Sequence, residues 1–305
     1  MTKALLLFSG GLDSILVAKI LMEQKIKVVP VCFKSLFFGC SLAQKTIKDL
    51  GLKLKIVDIS KKHLDIIKNP KRSVGKGMNP CIDCHLFMIK TAKEIMIRDG
   101  YDFLATGEVL NERPFSQNRN VFTLVEKELD LEGLILRPLS AKLLPITIPE
   151  KKGLVKRSKL FDVSGKSRKT QIALTKKFKI KDFPSPAGGC ILTDINYAKK
   201  LKYLFNKIPD CDSSDCLILK NGRIVWDKKI MLVIGREERD NRQILKLKKP
   251  NDIVLEPDNF AGPTVLIRGF GKEIKKAMID KAVELLLSYS KKIPQEIIIK
   301  TSLKK

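Results

Sequence analysis

Absences narrow the field before any motif is read. No stretch of the 305 residues is both long and apolar enough, without charge, to span a bilayer, so a membrane-embedded protein is not expected. The N-terminus runs straight into an apolar core segment, without the charged-then-apolar leader of an exported chain. Seven cysteines lie at irregular spacings and form no disulfide framework, which points to a reducing, cytoplasmic setting. There is no convincing internal repeat, and no low-complexity segment beyond scattered lysines. Acidic residues are scarce: 33 Asp and Glu face 59 Lys and Arg, for a formal net charge of +26. In thermophile proteins a rise in Lys normally comes with Glu, so the surplus speaks for a polyanionic partner. The lack of a basic amphipathic helix favours a nucleic acid over a membrane.

What is there begins with Ala4-Leu5-Leu6-Leu7-Phe8-Ser9-Gly10-Gly11-Leu12-Asp13-Ser14. A short apolar run, a Gly-Gly corner and the periodic residues Leu12, Leu16 and Ile20 predict a buried strand, a tight turn and a helix. Adjacent glycines let backbone approach a ligand closely, and the helix start offers unpaired N–H groups to an anion. Ser9 and Ser14 add hydroxyls for phosphate. Asp13 would repel phosphate unless Mg²⁺ stood between them, so the stretch from Phe8 to Ser14 reads as a site for a nucleotide with its metal. The lysine of a GxxxxGK[ST] loop is missing, which disfavours γ-phosphoryl transfer.

Further apolar segments at 27–33, 54–59, 101–107 and 134–139, with helical patterns at 41–50 and 85–98 between them, predict an α/β fold. The sheet would be parallel and doubly wound, binding ligands at the carboxyl ends of its strands. That places Thr106 and Gly107 near the nucleotide. Phe33 lies either beside the adenine or in the core. Residues 68–79 form a basic loop able to meet a phosphate backbone, and 108–133 read as a polar active-site insertion. A helix over 167–177 and a proline- and glycine-rich loop over 183–190 follow. The acidic stretch 210–215 marks a boundary, giving a first domain over 1–205 and a second, small basic α+β domain over 210–305. In the second, Asn221-Gly222 signals a hairpin between 217–219 and 224–226. Strands at 230–234, 244–247, 253–255 and 264–268, a helix over 272–290 and a terminal strand at 297–300 complete it.

Cys81 and Cys84 form a Cys-x-x-Cys at a helix start, where the helix end, Arg72, Lys76 and Lys90 would lower a thiol pKa. Cys190 lies in a glycine-rich loop able to fold back over the strand ends. Cys32 and Cys40 are expected to pack in the core, and Cys211 and Cys216 to be incidental to the linker. A structural zinc would need a second paired motif, which the sequence does not offer. His85 is expected to cap the helix or face solvent.

The string Ser9-Gly10-Gly11-Leu12-Asp13-Ser14 resembles the SGGxDS pyrophosphate loop (PP-loop) of the N-type ATP pyrophosphatases, which adenylate a substrate and release pyrophosphate. Three further blocks, Asn79–His85, Tyr101–Gly107 and Ala187–Cys190, look like those of the tRNA 2-thiouridylases and 4-thiouridine synthases, and the similarity covers roughly residues 3–195. By resemblance to the former, Cys84 would be a nucleophile and Cys190 a persulfide carrier. The sequence departs by the extra Cys81, and by Gly107-Glu108 where those enzymes carry Gly-His. Cys81, Cys84 and Cys190 are instead similar to the ligands of thiouridine synthases that hold a [4Fe–4S] cluster. The segment 235–241 resembles the NFACT-type RNA-binding domain, while the THUMP-containing region of typical 4-thiouridine synthases is not seen. Together the resemblances imply an ATP-dependent tRNA sulfurtransferase using ATP, Mg²⁺, a [4Fe–4S] cluster, tRNA and a sulfur donor. Two readings stay open beside it: a different adenylating enzyme of the same loop family, such as an amidotransferase or lysidine-type synthetase, and an RNA-binding protein with a vestigial nucleotide site.

Overall fold

Short leucine- and valine-rich runs, each bounded by glycine or charge, make the first sheet. The computed structural model describes residues 1–185 and 189–303. The chain divides into two units, Met1–Thr193 and Asp194–Lys305. In the first, β1 (Lys3–Leu7), α1 (Leu12–Glu23), β2 (Lys27–Lys34), α2 (Ser41–Thr46), β3 (Lys55–Asp58), α3 (Ser60–Lys68), α4 (Cys81–Asp99) and β4 (Phe103–Thr106) succeed one another. Then come α5 (Arg119–Glu128), β5 (Ile135–Leu136), α6 (Ile148–Lys151) and α7 (Lys169–Lys177). The five strands are parallel in the order β3-β2-β1-β4-β5. Apolar cores cover both faces, one holding Leu6, Leu12 and Ile15 and the other Leu5, Leu86 and Leu104. This is the doubly wound α/β arrangement expected, with β1 central and Leu7 level with Val31 and Thr106.

Local departures have identifiable causes. β5 is two residues long because Arg137 turns inward and Pro138, lacking an N–H, cannot continue the ladder. The stretch 108–133 is not wholly an insertion: Asn118 caps α5 by accepting the Val121 N–H, and Phe122 and Val125 enter the core. Cys32 and Cys40 do not merely pack; they are bonded to each other and link β2 to the residue before α2.

The second unit contains α8 (Ile195–Lys207), α9 (Ser213–Ile218), β6 (Arg223–Asp227), β7 (Ile230–Ile234), α10 (Glu238–Lys246), β8 (Ile253–Pro257), β9 (Val265–Arg268), α11 (Lys276–Ser288) and β10 (Ile299–Leu303). Its antiparallel sheet runs β10-β8-β9-β7-β6. α8 belongs here rather than to the first domain: Tyr197 Oη donates to Cys216 O (2.9 Å), and Tyr203 packs 5.3 Å from Trp226. Cys211 and Cys216 are therefore core residues, not linker. Asn221-Gly222 closes off α9 instead of making a hairpin, and the real hairpin turns at Lys228-Lys229 between β6 and β7. The strand expected at 244–247 is the end of α10. Arg236 pairs with Asp240, which is buried together with Ile244 four residues on, a helical spacing. The buried Arg268 guanidinium is held by Asp252, Asp215 and the Leu247 carbonyl.

Candidate active site

All the expected catalytic and nucleotide-binding residues fall in the first unit, at or beyond the carboxyl ends of its strands. The Phe8 N–H donates to Val31 O (2.8 Å), carrying the strand one residue past β1; its ring is buried, so only its backbone can meet a ligand. Gly10 turns the chain at φ +81°, and a Cβ there would lie 2.6 Å from the Ala43 backbone of α2. Gly11 and the first-turn N–H groups from Leu12 to Ser14 then open α1, whose first internal bond runs from Ile15 N–H to Gly11 O (3.1 Å). The buried Ser14 Oγ accepts from Gly10 N–H (3.1 Å) and donates to Gly11 O (2.8 Å), bracing the loop. Ser9 is exposed; its Oγ accepts from Gly11 N–H (3.3 Å) and lies 3.5 Å from Ser14 Oγ. β4 closes against the loop, since a Cβ on Gly107 would come 2.9 Å from Ser14 N.

Asp13 Oδ1 is buried without a hydrogen-bond partner. Burial raises its pKa, against the opposing pull of Arg168, Gln171 and Arg113. Glu112 is raised too, by burial and by the Asp13 charge. Gln171 is fully buried, and among the described residues its amide has no close hydrogen bond, though it stands near enough to Asp13 to lower that carboxyl. A buried carboxyl oxygen on Asp13 without a hydrogen bond, a second carboxyl at Glu112 raised by it, and Arg113 and Arg168 acting on both have the chemistry of a site for Mg²⁺ and a polyphosphate.

Next to it, Glu108 receives Arg137 Nε on Oε2 (3.0 Å) and lies 3.0 Å from His85 Nδ1 through Oε1. Thr106 Oγ1 also donates to Oε2 (3.1 Å). Burial alone would raise the Glu108 carboxyl, but Arg137 and His85 outweigh it and hold it down at about 2. Arg137 is itself buried over the Phe122 ring (3.9 Å), with Nη1 on Glu126 (2.5 Å). His85 is thus a hydrogen-bond partner of Glu108 on the inner side of α4, not the cap or surface residue expected.

At the thiol end Cys81 opens α4, its Sγ accepting from Asn79 Nδ2 (3.1 Å). Cys84, one turn on, is buried. Burial pushes its thiol far up, and the like charges of Cys190, Cys81 and Asp83 add to the effect. The expected lowering by the helix start, Arg72, Lys76 and Lys90 does not hold, because Arg72 is spent on Asp83 (2.6 Å) and Glu128. Cys84 Sγ instead lies 3.0 Å from His63 Nε2, whose Nδ1 is 2.6 Å from Ser35 Oγ. Cys190 is brought back toward these thiols, as expected. Ile191 N–H donates to Phe37 O (3.1 Å) and Met78 N–H to Leu192 O (3.0 Å), with Gly77 leaving no room for a Cβ against that carbonyl. Ala187 and Gly188 of the expected glycine loop lie outside the described residues.

Phe33 is packed with Ile59 and Leu86, so it is core and offers no open ring to an adenine. The sequence reading missed His63, Ser35, Arg137, Arg168 and Gln171, and took Glu112 and Arg113 only as loop polarity. One signal for His63 was available: the chain has two histidines, and this one rides a helix with a Leu64/Ile67 stripe.

Residues 1–143 match the family model described as thiamine biosynthesis protein (ThiI), and residues 222–305 match that of the NFACT protein RNA binding domain. One model falls in each unit, in keeping with both resemblances read from the sequence. No curated protein matches the chain. Among solved structures it is similar to a predicted subunit of tRNA methyltransferase from Methanocaldococcus jannaschii, at 22% identity over 67% of this chain and 89% of that one, with a TM-score of 0.40. It is also similar to a 4-thiouridine synthetase solved with RNA and bound ATP, at 17% identity over 72% of this chain, with a TM-score of 0.41. The chain spans 52% of that synthetase's length.

Proposed function

We propose that the chain is an ATP-dependent tRNA sulfurtransferase that replaces a uridine carbonyl oxygen with sulfur. The observation that carries this reading is the gathering of a phosphate-type loop and two segments bearing three cysteines, Cys81 and Cys84 on α4 and Cys190 beyond it, within the one parallel-sheet unit. A uridine carbonyl is amide-like, and its oxygen is a poor leaving group. Attack of that oxygen on the α-phosphorus of ATP expels pyrophosphate and leaves an adenylated base. Hydrosulfide then adds to the ring carbon and AMP departs with the original oxygen; if the donor is instead a persulfide, its outer sulfur adds to that carbon as AMP leaves, and a second thiolate must cleave the resulting S–S bond, ending as a disulfide. Ser9, the Gly11 backbone and the first-turn N–H groups of α1 bind phosphate, while Arg113 and Arg168 offset charge building on the leaving pyrophosphate. Mg²⁺ held by Asp13 and Glu112 would neutralise the phosphate oxygens between them.

Among the described residues no three His, Cys, Asp or Glu side chains stand at the spacing of a single-ion site. A [4Fe–4S] cluster takes its ligands from farther apart than one ion does, and the donor set suits it: three cysteines whose charges act on one another. Cys81, Cys84 and Cys190 would hold it, and when bound it would leave one iron without a protein ligand, able to carry the sulfur to be transferred. A positive surplus in both units supports tRNA as the substrate; residues 194–305 alone carry 24 Lys and Arg against 15 Asp and Glu. The base must leave its stack to reach the strand ends.

The test is an anaerobic reaction of the full chain with ATP, Mg²⁺, sulfide and unmodified tRNA, followed by nucleoside mass spectrometry. The expected result is a thiouridine with AMP and pyrophosphate in equal amount. Pyrophosphate release accompanied by an aminated or otherwise substituted nucleoside would overturn the sulfur assignment.

A further inference from the structure

The buried line Ser35–His63–Cys84 is used by no step above. Its three members come from three separate elements: the residue after β2, the middle of α3 and the first turn of α4. His63 is fully buried, and the edges of Phe37 and Phe38 meet its ring at centroid distances of 5.8 and 5.3 Å, so it cannot rotate freely. A buried imidazole needs a partner at each nitrogen, and here each has one.

Which nitrogen carries the proton follows from the donors around it. Phe37 N–H donates to Ser35 Oγ (3.3 Å), so that oxygen is already an acceptor. Among the described residues the Ser35 hydroxyl hydrogen has no other acceptor than His63 Nδ1, 2.6 Å away. With Nδ1 accepting, a neutral ring must carry its hydrogen on Nε2, the nitrogen that faces Cys84 Sγ at 3.0 Å.

We infer that His63 is a positioning residue for Cys84: Ser35 fixes its tautomer, and its Nε2–H donates to Sγ, aiming the sulfur and stabilising negative charge there. The inference rests on the sulfurtransferase reading for its effect on turnover, but not for its geometry. It serves cluster ligation and a persulfide relay alike, because an N–H donor to sulfur orients a metal-bound thiolate as it does a free one.

Nitrogen NMR of the full, iron-free chain with ¹⁵N-labelled histidine tests the geometry without any activity. With two histidines in the chain, His85→Gln assigns the spectrum. The expected spectrum shows His63 neutral and protonated on Nε2, with Cys84→Ala shifting Nε2 and Ser35→Ala mixing the tautomers. A ring protonated on Nδ1, or on both nitrogens at neutral pH, overturns the inference. Kinetics test the role. His63→Ala should lower sulfur-transfer kcat about 10- to 100-fold, the cost typical of losing such an outer-shell donor, with KM for ATP and pyrophosphate release unchanged. His63→Gln, which keeps an amide N–H donor, should recover most of the loss and covers the case that His63→Ala does not fold. An unchanged transfer rate in His63→Gln and His63→Ala alike overturns the role. If wild-type protein transfers no sulfur at all, the function proposed above fails, and the NMR result still decides the geometry.

Discussion

At the phosphate end of the site, among the described residues, Asp13 Oδ1 is buried without a hydrogen bond, and the buried Gln171 amide beside it makes no close one. At the thiol end, a few residues beyond the neighbouring strands, Ser35, His63 and Cys84 close on one another at 2.6 and 3.0 Å. Buried polar groups left open cost free energy that a ligand must return, so the first end is built to be completed by what binds. The second end is finished in advance, as a group that must hold one geometry through a reaction has to be. Glu108 stands between them, reaching Thr106 on one side and His85, next to Cys84, on the other.

The contrast can be broken most forcefully at Asp13. Asp13→Asn should cut pyrophosphate formation by about 10³-fold or more, because the metal loses a charged ligand. The same change should raise the melting stability of ligand-free protein by about 1 kcal/mol, since it removes a carboxylate that burial penalises. A drop in ligand-free stability, read by thermal or urea unfolding, would mean that the phosphate end is already satisfied.

Glu108 gives the next largest effect, and its sign follows from its depressed pKa. The folded value is about 2 against an ordinary 4.5, so its stabilisation is present above about pH 4.5 and is lost as pH falls toward 2. That loss should amount to roughly 3 kcal/mol, and Glu108→Gln should flatten unfolding free energy across that window. An equal acid dependence in the variant would show that Arg137 and His85 do not hold the carboxylate as described.

The smallest effect sharpens the roles of two serines that look alike in the sequence. Ser14→Ala should cost about 1 kcal/mol of stability by removing the brace between Gly10 and Gly11. Ser9→Ala should leave stability unchanged and raise KM for ATP. The reverse pattern would return Ser14 to the phosphate.

These residues also mark what a sequence can disclose. The parallel sheet is legible because apolar runs bounded by glycine report burial directly, and the loop from Phe8 to Ser14 because its parts are contiguous. Which hydroxyl braces and which one binds is set by backbone geometry at Gly10, so Ser9 and Ser14 could not be told apart. Cys84 was misjudged for a related reason: a helix start is visible locally, whereas the burial that raises its thiol comes from packing by other segments. Its partner His63 is 21 residues away and Ser35 another 28, distances over which spacing carries no signal. α10 was read as a strand from Ile244 and Leu245, because the deciding Arg236–Asp240 pair lies upstream of the apolar residues.

The central claim is that the two ends perform two separable half-reactions, adenylation at the loop and sulfur transfer at the cysteines. Isotope exchange between ATP and labelled pyrophosphate, measured with unmodified tRNA present, reports the first half alone. In Cys84→Ser the account predicts exchange at near the wild-type rate with no thionucleoside formed. Loss of exchange in that variant, or thionucleoside formed in spite of it, would contradict the claim.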